Sequence, residues 1–133
     1  NLPILPLSIG FIPYEELYQI GQEIARTAKE LNYKIAVIAS GDLSHRLKKG
    51  APAGFNPDAH IFDEKLIQYF KEKDFKSILN FDSELVEKAG ECGFRPIIMT
   101  LGAIQDYDVK SDLKSYEGPF GVGYAVCSFK IIK

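Results

Sequence analysis

Apolar residues at Leu17, Ile20, Ile24, Ala28 and Leu31 recur at three- and four-residue spacings, which predicts an amphipathic helix beginning just after Pro13. Two apolar runs of a different kind flank it. Residues 2–9 (LPILPLSI) are short and proline-punctuated, and predict an irregular strand. Residues 34–39 (KIAVIA) are apolar and partly β-branched without alternation, as expected of a strand covered on both faces. Strand, helix and buried strand form a βαβ unit whose two strands are expected to run parallel.

The pattern then breaks. Gly41, Gly50, Pro52, Gly54 and Pro57 mark a long loop over residues 41–57. Phe62, Leu66, Tyr69 and Phe70 fall on one side of a following helix, and short helical pieces are predicted over 75–79 and 83–89. The turn Gly90-Glu91-Cys92-Gly93 leads into a helix with Phe94, Ile97, Ile98, Leu101 and Ile104 inward. Pro96 fits there only in the first turn, where its missing N–H leaves no bond unmade. The end, 122–132, sets Val122, Tyr124 and Val126 against Ala125, Cys127, Phe129 and Ile131, and predicts a mostly buried strand. With no internal repeat, low-complexity tract or linker, residues 1–133 make one α/β unit.

Composition narrows the function classes. A net charge of −2 gives no general electrostatic reason to expect nucleic acid or an anionic membrane as partner. No apolar run approaches the ~20 residues that span a bilayer. Two cysteines, Cys92 and Cys127, are too few for a disulfide framework and point to a reducing, cytoplasmic setting. The chain opens at Asn1, inside a strand-like stretch and without a signal-peptide pattern, so a processed or truncated start is expected.

The candidate chemistry gathers at strand ends, where open α/β sheets place their functional groups. In ASGDLSHRLKKG (39–50), His45 lies a few residues past KIAVIA, with Asp42 and Ser44 near enough to orient an imidazole. A histidine so placed serves as a general acid or base near neutral pH. Ser44 and His45 do not make a hydrolase, because sequence neighbours rarely point at each other and no G-x-S-x-G elbow is present. Glu91 and Cys92 sit in a glycine-flanked turn at a helix start and are candidate metal ligands: carboxylate suits iron(II), thiolate softer ions. The alternative is an acid complementing the helix dipole beside an inert cysteine. His45, His60 and Glu91 would add up to a facial triad, but His60 opens an amphipathic helix beside Ile61 and Phe62 and is expected at the surface. The glycine run 118–123 lacks the phosphate-loop spacing and leads into a strand; it predicts a tight turn that brings Tyr116 and Glu117 near a neighbouring loop.

SGDLSH after a buried strand, the downstream Phe62-Asp63, AGECGFRPI (89–97) and SYEGPFGVGY (115–124), in that order, resemble the catalytic B-subunit superfamily of class III extradiol ring-cleavage dioxygenases. This LigB-like resemblance is nearest the branch associated with AMMECR1-type domains, with Memo-like proteins as more distant relatives. It implies a three-layer α/β/α fold with a mostly parallel sheet and, in the dioxygenases, a non-heme iron(II) that binds a catechol and O2 together. The family's acid/base histidine falls on His45, with Ser44, Asp42 and Tyr116 expected at the substrate. The third protein ligand falls on Glu91 in ring-cleaving members and on Cys92 in Memo-like ones, where copper or zinc is the alternative metal; the chain carries both residues. The family's two metal-binding histidines lie in the N-terminal half of its domain, and neither histidine here precedes the first buried strand. The chain is therefore expected to be the C-terminal half of a domain of about 250 residues, a size one α/β domain can reach. Its expected partners are the missing N-terminal half, a small aromatic substrate with O2, and an AMMECR1-type domain.

Overall fold

A computed structural model describes residues 2–132. Helix α1 (Tyr14–Glu30) starts after Pro13, with Glu15 and Glu16 in its first turn and Lys29 in its last, each complementing the helix dipole. It packs along α5 (Phe94–Ile104). The two helices meet almost backbone to backbone: a Cβ on Gly21 would lie 1.9 Å from the Met99 carbonyl oxygen, and one on Gly102 would lie 2.0 Å from that of Tyr18. This contact turns Leu17, Gly21 and Ala28 inward and leaves Ile20 and Leu31, both expected in the buried stripe, exposed. Where a glycine carries the closest approach, hydrophobicity alone misplaces the centre of the buried face.

Helices α2 (Ala59–Glu72), α3 (Phe75–Leu79) and α4 (Ser83–Ala89) complete the helical layer. Side chains of Asp74 and Asp82 accept the first free N–H groups of α3 and α4, and Gly90, at φ 62°, closes α4 in a left-handed cap. Phe62, Leu66, Phe70, Ile78, Val86, Phe94 and Ile98 fill the core. Within it, the rings of Phe62, Phe81 and Phe94 meet mutually at 5.1–5.8 Å.

The sheet differs from the expected one. Among the described residues the only ladder is antiparallel, joining β1 (Val109–Glu117) to β2 (Tyr124–Ile131), with a bulge between Leu113 and Ser115. β1 has no counterpart in the sequence pattern, because VKSDLKSYE carries too few apolar residues to announce a strand; pairing with β2 makes it one. β2 falls where expected but is half-buried rather than mostly buried. Phe129 meets Phe70 and Phe75, while Tyr124 and Val126 face solvent. The expected mostly parallel sheet is not formed among the described residues: residues 2–9 and 34–39 form no ladder with any of them. Their apolar side chains, among them Ile4, Leu5, Ile35 and Ile38, are exposed except for Ile9, which packs against the core. A strand exists only through hydrogen bonds to a neighbour, and local pattern cannot supply the neighbour. Beneath residues 33–39 lies an open cavity of about 880 Å³ against α5 and β2, lined in part by Val37, Ile97, Leu101 and Phe129.

Candidate metal centre

The loop that carries His45 is held from three sides. Leu43 N–H donates to the Gly123 carbonyl and Gly123 N–H returns to that of Ser44, both at 2.8 Å; Leu47 N–H donates to Gly121. On the other side, His45 N–H donates to the Ala89 carbonyl at 3.0 Å, at the end of α4. The Asp42 carbonyl accepts from Cys92 N–H (3.3 Å) and Gly93 N–H (2.8 Å), tying the loop to the turn before α5. Glycines make this last approach possible: a Cβ on Gly41 would stand 2.5 Å from the Gly93 Cα, and one on Gly93 would stand 2.8 Å from the Asp42 carbonyl oxygen.

This stitching brings three donor atoms of different chemistry together. His45 Nε2 lies 3.6 Å from Cys92 Sγ and 3.4 Å from an Asp42 carboxylate oxygen. Asp42 N–H points at the same sulfur from 3.1 Å. One ligand atom each from Asp42, His45 and Cys92 falls within 4.8 Å of the other two. Both neighbours of His45 face the same ring nitrogen. A Cys–His–Asp nucleophile relay needs the acid on the opposite nitrogen, so the arrangement is convergent and not a relay. Sulfur, imidazole nitrogen and carboxylate oxygen together suit a first-row transition metal, so the residues present fit the group that the resemblance implies.

Other expected site residues lie apart from this cluster. The Glu91 carboxylate accepts the Phe94 N–H, satisfying a free donor at the start of α5. Burial raises its pKa, against the opposing pull of that N–H, of Arg95 and of His45. Ser44 is fully buried; its hydroxyl donates to the Ala89 carbonyl and accepts from Arg46 N–H. Tyr116, half-buried on β1, donates its hydroxyl at 2.7 Å to Asp63. His60 is exposed at the start of α2, as its position predicted, and lies outside the cluster.

Asp63, to which the sequence pattern assigns no role, is the one carboxylate among the described residues with no exposed surface. One of its oxygens accepts Ser44 N–H at 2.8 Å and the other accepts Tyr116 O–H. A signal existed: Asp63 shares the inward face of α2 with Ala59, Phe62, Leu66, Ile67 and Phe70. A carboxylate on such a face must be hydrogen-bonded to be tolerated.

The chain is a mixed α/β protein with a histidine–cysteine–aspartate cluster at its loop ends, and comparison with known proteins narrows the class. Residues 2–127 match the model for the catalytic LigB subunit of aromatic ring-opening dioxygenase, and the chain belongs to this family. It is 41% identical over 111 residues to a Clostridium acetobutylicum protein, covering 84% of this chain and 24% of that one. It is 32% identical over 102 residues to a MEMO1 family protein of Methanocaldococcus jannaschii, covering 77% of this chain and 32% of the relative. Against the 3,4-dihydroxyphenylacetate 2,3-dioxygenase of Escherichia coli it is 30% identical over 101 residues, covering 69% and 37%. The chain thus spans 24–37% of the length of these relatives. No helix among the described residues is long and apolar enough to cross a membrane.

Proposed function

We propose that this chain supplies one side of a family-type metal centre in which Cys92 is the ligand and His45 stands beside it as the proton-handling group. The carrying observation is the convergence of Cys92 Sγ, His45 Nε2 and the Asp42 carboxylate, with the Glu91 carboxylate turned to the start of α5. Asp42 orients the imidazole from 3.4 Å, and His45 holds or delivers a proton at Nε2. A thiolate in the donor set favours copper or zinc over a harder ion. This is the Memo-like reading, a metal-binding protein without ring cleavage. The remaining ligands would come from a preceding half of the same domain. That half would also complete the three-layer, mostly parallel sheet by pairing with residues 2–9 and 34–39, consistent with relatives three to four times as long as the matched stretch.

The carboxylate of Glu91, adjacent to Cys92 in the same turn, favours a second reading, as does the likeness to the ring-opening enzyme. In it Glu91 rotates from Phe94 N–H to hold iron(II), which when bound brings a catecholic substrate and O2 together. His45 then manages protons at the ring. Metal analysis of Cys92→Ala and Glu91→Ala in the full-length protein separates the two. Loss of metal with Cys92→Ala alone supports the first reading, and loss of iron with Glu91→Ala alone supports the second. Retention of metal in both variants rejects any metal role for this turn.

A further inference from the structure

The buried carboxylate of Asp63 lies one peptide below the candidate centre, and three elements converge on it. Ser44 N–H from the His45 loop and Tyr116 O–H from β1 each donate to it, one to each oxygen. Gly123 leaves the space it fills, since a Cβ there would stand 2.0 Å from the carboxylate. Ser44 is the residue immediately before His45, and its hydroxyl is fixed in turn to Ala89. His45 N–H is fixed to the same Ala89 carbonyl. The peptide that aims the imidazole is thus anchored on both sides, with Asp63 of α2 holding the Ser44 N–H.

We propose that Asp63 is a positioning residue: by holding Ser44 N–H it fixes where His45 Nε2 stands relative to Cys92 Sγ. The inference rests on the metal-centre reading above and extends it from the residues that touch the metal to one that orients them. Partners that orient metal-site side chains are worth about 10- to 100-fold in metal affinity, which sets the scale of the expected effect. Two donors face the carboxylate, so an amide at this position still accepts Ser44 N–H through its carbonyl oxygen, while the Tyr116 oxygen accepts from the amide nitrogen. Asn should therefore preserve the alignment and Ala should lose it.

The test is cobalt(II) titration of the full-length protein, followed by the thiolate-to-cobalt absorption band, in the parent and in Asp63→Asn, Asp63→Ala, Cys92→Ala and Ile78→Ala. Ile78 is buried in α3, so its truncation destabilises the same core without touching the loop. The expected result is a band lost in Cys92→Ala and an affinity lowered at least about tenfold in Asp63→Ala. Asp63→Asn and Ile78→Ala should both stay close to the parent. Parent-like affinity in Asp63→Ala overturns the proposal, as does an equal loss in Ile78→Ala. A band absent from the parent rejects the metal reading instead. Positioning is then judged without metal, from the rate at which iodoacetamide alkylates Cys92. Asp63→Ala should take the rate of His45→Gln; a parent-like rate in Asp63→Ala, with His45→Gln altered, overturns it.

Discussion

Gly41 and Gly93 press backbone against backbone, and this is what lets a cysteine from one turn face a histidine from another. Alanine at Gly41 has no room for its Cβ, 2.5 Å from a neighbouring Cα that is itself part of a hydrogen-bonded turn. Gly41→Ala is expected to push the two segments apart and abolish cobalt binding at the thiolate, while circular dichroism still reports the helices. Asp63 yields a pH prediction. Burial raises its pKa, outweighing the Tyr116 and Ser44 hydrogen bonds that favour the charged form. The folded protein then holds this proton to higher pH than the unfolded chain does, so stability from this group is fully present below the unfolded carboxylate value of about 4 and is lost as pH rises through the folded value. Asp63→Asn removes that titration. Urea midpoints measured from pH 4 to 7 should fall less steeply in the variant than in the parent; parallel curves would refute the assignment. Tyr116→Phe deletes one neutral donor to the same carboxylate and should cost about 1 kcal/mol.

Helices α1 and α5 are paired through Gly21 and Gly102, each against a carbonyl of the other helix. Two effects oppose each other when either becomes alanine. Helix propensity gains about 1 kcal/mol, while overpacking a tight contact costs about 1–3 kcal/mol. The backbone atoms in contact cannot rotate away as a side chain would, so overpacking wins. Gly21→Ala and Gly102→Ala are both expected to lower the thermal midpoint, whereas alanine at an exposed α1 site such as Gln19 should leave it unchanged. The most local elements were the most legible: the short helical pieces expected over 75–79 and 83–89 are α3 and α4 of the structure. β1 was invisible because its strand character comes from its partner, and Ile20 and Leu31 were placed inside because spacing reports a stripe but not which residue of it makes closest contact.

Across the whole molecule, apolar residues divide between a filled core around Phe62, Phe94 and Ile98 and an open face bounded by residues 33–39, α5 and β2. The first resists solvent; the second offers it a concave apolar wall. The 133-residue chain should therefore bind a hydrophobic dye such as anilinonaphthalene sulfonate in its folded state, and Val37→Asp with Val126→Asp should reduce the fluorescence without lowering helicity.

By itself the sequence determined whatever depends on near neighbours: the helices, the loop bearing His45, the turn bearing Glu91 and Cys92, and a motif order specific enough to imply the family. Periodicity and turn chemistry act over a few residues, so they survive in a one-dimensional reading. The tertiary structure alone decided that Cys92 faces His45 while Glu91 accepts the Phe94 N–H, and that Asp63 holds the Ser44 N–H. The Cys92–His45 and Asp63–Ser44 contacts join positions 47 and 19 residues apart, through glycine contacts and backbone hydrogen bonds whose partners no local pattern specifies.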